Sequence, residues 1–469
     1  MSNVDHDPVE EFFERERNQI VSQHGNDVHW QGIVRRARAD RRSRFFGYVA
    51  GVAAAGLVIG GVTYGAVLHN GRTAVTAATQ DATTAHRSAD LAAAAAAAAK
   101  SAADARAAAE QALVLKRFAT MSISNVGQGN IFVLGSSYCG SAGRCPVLIG
   151  STDNGRTWHV LSSFTSNALP TRPTFDGAVQ AANVLSQVRF ANATVGWVFG
   201  GDVQYTTDGG KTFRPYDHVG QSVVDIGTDG NQVIVTSADG CSSGVCGAGH
   251  VARASITAPG ATSELGTGPS GGELSDLQVV FDAKAPFLSP RWRSAPTSGF
   301  GPQRITASGL EPLGGLGGAC GSPNEQDIIA TADRQGGLFA ICATPGAAMG
   351  SIGMAVFRSN NQGSSWAAAS SNALIMVNSG PRSFAAASSK DVLAASAGNQ
   401  DTHGSLQVSH DGGKSWHSPG APPPMPTNGW AWIGAPGGKT FYAISRDAVP
   451  AYWQSDDRGE TWTKVGLTS

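Results

Sequence analysis

Five stretches of this chain place a carboxylate or amide, a glycine, a hydroxyl and an aromatic ring at one fixed spacing. They are Ser151-Thr-Asp153-Asn-Gly155-Arg-Thr157-Trp158, Thr206-Thr-Asp208-Gly-Gly210-Lys-Thr212-Phe213, Ser359-Asn-Asn361-Gln-Gly363-Ser-Ser365-Trp366, Ser409-His-Asp411-Gly-Gly413-Lys-Ser415-Trp416 and Ser455-Asp-Asp457-Arg-Gly459-Glu-Thr461-Trp462. In such a hairpin the Asp side chain accepts hydrogen bonds from turn N–H groups, the glycine supplies a positive φ, and the ring plugs the core. This chemistry holds a turn and names no substrate. No serine-nucleophile elbow and no phosphate loop are expected. No cofactor is expected, and no metal, since the C-x2-C and EF-hand patterns are missing. His159 and His417 follow box tryptophans and are expected to point outward into solvent by strand alternation.

What remains is binding. Trp292 between Arg291 and Arg293 has the composition of an exposed hot spot, and Arg172 stands in the irregular stretch from Ser166 to Gln187. A second irregular stretch runs from Ala283 to Pro323. A protein or polysaccharide is the expected ligand class. Nucleic acid is not, because the net charge is −1 and the C-terminal part lacks a basic patch.

The octads resemble the Asp-box, the bacterial neuraminidase (BNR) repeat of β-propellers. Successive box positions lie 55 residues apart from Asp153 to Asp208, 50 from Asn361 to Asp411 and 46 from Asp411 to Asp457, which suits one four-stranded blade each. The interval of 153 from Asp208 to Asn361 leaves room for two degenerate boxes, near residues 258 and 308. The expected fold is therefore all-β, a seven-bladed propeller over 117–469. The strand around Trp197 is similar to the innermost strand of photosystem II assembly-factor propellers. Sialidases share the boxes, yet their chemistry needs an arginine triad, a tyrosine nucleophile and an aromatic-Arg-Ile-Pro motif. Here Gln303-Arg304-Ile305-Thr306 is the nearest run, so the resemblance implies a non-catalytic propeller.

Six cysteines, Cys139, Cys145, Cys241, Cys246, Cys320 and Cys342, all fall after residue 116. An even count confined there reads as an exported disulfide set, with the near neighbours paired and Cys320 taking Cys342. Topology agrees. Phe45 to Leu68 gives 24 uncharged residues, enough to span a bilayer, with Arg35, Arg36, Arg38, Arg41, Arg42 and Arg44 on its N-terminal flank. Residues 1–44 are then a cytoplasmic tail with short amphipathic helices, 45–68 an uncleaved anchor, and 69–116 an alanine-rich helical stalk. In the tail, Phe12, Phe13, Ile20 and Trp30 are candidate anchors for a cytoplasmic protein, a layout like that of transmembrane anti-sigma regulators.

Overall fold

The computed structural model describes residues 74–468, except 171–177, 218–219, 283–284, 297–300, 315, 317–327, 334, 344–350, 378–380, 397–404, 425 and 437. The tail with Phe12, Phe13, Ile20 and Trp30, the expected span 45–68, Arg172 and Cys320 lie outside the described residues. Among the described residues no helix is long and apolar enough to cross a membrane. The chain divides into two units, residues 1–97 and 98–469.

One helix, α1 (Ala74–Lys116), follows from the alanine composition. It is exposed over most of its described length, as a mostly polar and alanine surface dictates, and buries only its last turn through Val114 and Leu115. There the Ser137 hydroxyl donates to the Val114 carbonyl at 2.6 Å, satisfying one of the acceptors a helix end leaves open.

The remainder is all-β. The first sheet is an antiparallel meander of β1 (Ala119–Gly127), β2 (Asn130–Tyr138), β3 (Arg144–Ser151) and β4 (His159–Ser163). The second joins β5 (Gln187–Phe190), β6 (Gly196–Phe199), β7 (Val203–Thr206) and β8 (Arg214–Pro215). A seven-stranded sheet follows: β9 (Ser222–Thr228), β10 (Val233–Asp239), β11 (Cys246–Ala254), β12 (Thr262–Phe281), β13 (Pro286–Ser294), β14 (Gln303–Thr306) and β15 (Gly309–Pro312). Then come β16 (Ile329–Ala332), β17 (Leu338–Ala343), β18 (Ser351–Ser359) and β19 (Ala367–Val377) in one sheet. Next are β20 (Pro381–Ala386), β21 (Val392–Ser396) and β22 (Leu406–Ser409), and the last sheet holds β23 (Trp430–Gly434), β24 (Phe441–Ser445), β25 (Ala451–Ser455) and β26 (Thr463–Gly466).

The first strands of the six sheets, together with β12 from the middle of the seven-stranded sheet, pack side by side in the order β1, β5, β9, β12, β16, β20, β23, and β1 returns against β24 and β25. These inner strands have an edge buried in protein, so their N–H groups need acceptors. Short polar side chains supply them. Ser122 and Ser124 accept from the amides of Val188 and Phe190, Asp225 from Val279, and Ser383 from Ile433. The round closes where Thr120 Oγ1 donates to the Ala451 carbonyl at 2.9 Å.

Two expected disulfides are present, Cys139–Cys145 between β2 and β3 and Cys241–Cys246 between β10 and β11. Cys342 is also disulfide-bonded. The positions near 258 and 308 hold plain turns, at 255–261 and between β14 and β15.

Candidate functional site

Each box builds the same cage. In the first, Asp153 Oδ1 accepts from the amides of Arg156 (3.0 Å) and Thr157 (2.9 Å), Oδ2 accepts from the Thr157 hydroxyl (2.7 Å), and Ser151 Oγ accepts from the Gly155 amide (2.8 Å). Asp208 and Asp411 repeat these bonds, and Asp457 keeps those to the residue-461 amide and hydroxyl. Asn361 differs: its amide nitrogen donates to Ser365 Oγ at 2.8 Å. The glycines have φ between 81° and 96°, as expected. The residue before each is left-handed too, including Asn154, Gln362 and Arg458. Desolvation pushes the carboxyls of Asp208, Asp411 and Asp457 up, but the hydroxyl and amide bonds outweigh it and hold each near 2. The Thr157 amide leads the bonds that lower Asp153.

The rings depart from expectation. Trp158 is 1% exposed, whereas Phe213, Trp366, Trp416 and Trp462 are only half-buried. Each lies at the seam with the preceding sheet rather than inside its own blade. Trp158 clusters with Tyr442 and Tyr452, Phe213 with Phe132 and Leu148, Trp416 with Phe339 and Val356, and Trp462 with Leu393 and Val408. A ring that fills a groove between two sheets keeps one edge in solvent unless something covers it.

The expected hot spot is also corrected. Trp292 is 4% exposed and belongs to the core with Leu274, Leu277 and Leu288, because strand alternation turns it inward. Its neighbours point the other way: Arg291 is half-buried, and exposed Arg293 donates to the Ser243 carbonyl at 3.1 Å on the Cys241–Cys246 hairpin. Arg304 is not aimed at a substrate either. It pairs with buried Asp282 at 2.8 Å and donates to the Gln362 carbonyl at 2.8 Å in the next sheet's box. Burial pushes the phenols of Tyr216, Tyr442 and Tyr452 upward, away from nucleophilic character. Two strings of serine-elbow form do exist, Gly240 to Gly244 and Gly268 to Gly272, but one is the disulfide hairpin and the other lies in β12, with no helix after either.

The concavity that sequence reasoning missed lies where the inner strands end. It encloses about 810 Å³ including its open mouth, and is lined by Arg189, Gly227, Thr228, Gln278 to Phe281, Thr331, Ala332, Phe384 to Ala386 and Trp432 to Pro436. Arg189 Nε donates to the Ile226 carbonyl at 3.0 Å, and its guanidinium stands 3.7 Å from Asp225, whose carboxylate is 1% exposed. An ion pair is thereby fixed on the wall of the mouth, its guanidinium the more accessible member. The Trp432 ring lies so close over Gly434 that no side chain would fit there. The signal in the sequence was slight: one arginine in the four-residue strand Gln187–Phe190. Among the described residues one group of metal-ligating side chains gathers, His410, His417 and Glu460, so His417 is not simply solvated.

A family model described as BNR/Asp-box repeat matches residues 407–418. No curated protein matches the chain in sequence. Among solved structures, YCF48 bound to D1 peptide is similar at 14% identity, over 72% of this chain and 93% of that chain, with a TM-score of 0.42. A PL25 ulvan lyase bound to -[GlcA(1-4)Rha3S]- is similar at 11% identity, over 76% of this chain and 96% of that chain, with a TM-score of 0.44. The β-propeller domain of the trilobed protease from Pyrococcus furiosus is similar at 7% identity, over 76% and 96% respectively, with a TM-score of 0.43. At these values the likenesses carry no argument about activity or ligand.

Proposed function

We propose that this chain is a membrane-anchored, seven-bladed Asp-box propeller that binds an extended protein or polysaccharide ligand outside the cell at its channel mouth, without catalysis. The mouth carries the reading. It gathers residues from six inner strands, the Arg189 guanidinium held by a buried carboxylate, and Phe281, Phe384 and Trp432, a mixture suited to holding a chain of amides or sugar hydroxyls. The count of seven is supported by the long strand β12, whose first half pairs with β11 and whose second half pairs with β13, with Gly271 at a φ of 87° between the halves. Divided there, the seven-stranded sheet makes two four-stranded blades sharing one strand. Non-catalytic use is supported by the fates of Arg304 and the buried tyrosines. The anchor rests on the 45–68 segment and the arginines before it, and export on the disulfides.

Purified full chain in detergent should capture a cell-wall polysaccharide or an extended peptide from a defined panel. Thr331→Trp fills the mouth and should abolish that capture, and Arg189→Gln should weaken it. A ligand held equally well by both variants would remove the mouth as the site.

A further inference from the structure

Two neighbouring box turns, one from the sheet of β20–β22 and one from the last sheet, meet through three side chains of unusual type. His410 Nε2 and His417 Nε2 each lie 2.7 Å from the same oxygen, Glu460 Oε1. All three ligand atoms fall within 4.8 Å of one another. We propose that His410, His417 and Glu460 form a site for one divalent transition-metal ion of the zinc class, which fastens the two turns together and keeps one coordination position open to solvent.

The surroundings are those of a prepared site. His410 Nδ1 is 2.8 Å from Asp391 Oδ1, so the ring is oriented from behind by a carboxylate and presents Nε2 forward, the arrangement that fixes metal-ligating histidines. Asp391 comes from the β20–β21 turn, and the Lys390 carbonyl beside it accepts from the Gly412 amide, which ties that turn to the box carrying His410. Glu460 Oε2 accepts from the Gly420 amide at 2.9 Å, which leaves Oε1 for the two rings. The backbone of His417 is fixed by a pair of hydrogen bonds to Val408, at 2.8 and 3.0 Å. Exposures of 23%, 49% and 29% for His410, His417 and Glu460 leave the fourth position accessible.

The donor set chooses the ion. Two imidazole nitrogens and one carboxylate oxygen suit zinc and its neighbours, while calcium and magnesium want oxygen cages. Without an ion, two rings press N–H groups on one oxygen. When the ion enters, each Nε2 proton must leave: that of His410 goes to solvent while its Nδ1–H stays on Asp391, and that of His417 goes to solvent or moves through it to Nδ1; no electrons move.

Comparison among the five boxes argues against a generic ion-pair cluster. The position of Glu460 is filled by Arg156, Lys211, Ser364 and Lys414 in the others, and that of His410 by Thr152, Thr207, Asn360 and Asp456. Only at this seam do all three positions carry ligating groups.

The experiment uses full chain without a histidine tag, stripped with a chelator and titrated with Zn²⁺ by calorimetry, with bound metal counted by mass spectrometry. One ion per chain is expected. His417→Ala, an exposed position, and the near-isosteric Glu460→Gln should each abolish stoichiometric binding while leaving the thermal unfolding of chelator-treated protein in place. Asp391→Asn should weaken binding about 10- to 100-fold, as loss of an orienting partner does. Absence of stoichiometric zinc in the unaltered chain, or equal zinc in His417→Ala and Glu460→Gln, would overturn the proposal.

Discussion

Two seams built from the same turn have opposite characters. Where the first sheet meets the last, Trp158 sits edge-on to Tyr452 at 6.2 Å, Gly155 leaves room for the Tyr452 hydroxyl, and Val114, Leu115 and Phe118 at the end of α1 join the same apolar cluster. Where the last sheet meets that of β20–β22, Trp462 is half-buried and folds its Nε1 onto its own Gly459 carbonyl at 2.8 Å, while Glu460 reaches across to two histidines. The turn fixes position and the neighbours fix chemistry. A helix end that covers one seam makes it dry, and the uncovered seam can keep charged groups in contact with water, where their cost is small.

The largest effect should come from removing the covered ring. Trp158→Ala should cost about 3–5 kcal/mol, as a fully buried aromatic truncation does. Trp462→Ala should cost less, on the order of 1–2 kcal/mol, because part of its surface is already in water. Urea midpoints of the two variants decide it. Equal losses would mean that α1 contributes nothing to the difference between the seams.

The next effect tests the covered seam from the side. Cys139 and Cys145 belong to the apolar cluster around the end of α1 and join across a short hairpin. Replacing both with serine should cost about 2 kcal/mol, since short loops remove little entropy from the unfolded chain. Hydrogen exchange should then rise in Val114 to Phe118 and stay unchanged around His410. Faster exchange at both seams would mean that they open as one unit.

Turn chemistry was legible because it is local. Asp153 to Trp158 lie within one hairpin, so type and spacing alone specify the cage, and the Cys139–Cys145 and Cys241–Cys246 pairs were readable for the same reason. The burial of Trp292 was misjudged from its arginine neighbours, although alternation along β13 permits Trp292 inside with Arg293 outside. The concavity at the inner strand ends and the histidine group were illegible for a different reason. Arg189 meets Gln278 and Trp432, and His410 meets Glu460, only through the order of the sheets, which no local pattern encodes. The box rings fell between these cases: that they pack was readable, but that they pack against the preceding sheet was not.

The smallest effect concerns the one box without a carboxylate. Asp208, Asp411 and Asp457 are held near 2, below the ordinary carboxylate value, so the unfolded chain takes up their protons first as pH falls. Their contribution is therefore complete above about pH 4 and is lost as pH drops towards 2, where the folded form protonates as well. Asn361 has no such dependence, and its amide donates to Ser365 where the aspartates accept. Asn361→Asp lets the Ser365 hydroxyl turn and donate, as Ser415 does to Asp411 at 2.6 Å. Solvent exposure screens the gain to about 0.5 kcal/mol at neutral pH. Urea midpoints at pH 7 and pH 2 should show Asn361→Asp ahead of the unaltered chain at the first and level with it at the second. A gain that persists at pH 2 would show that the carboxylate charge is not what separates the four aspartate boxes from the fifth.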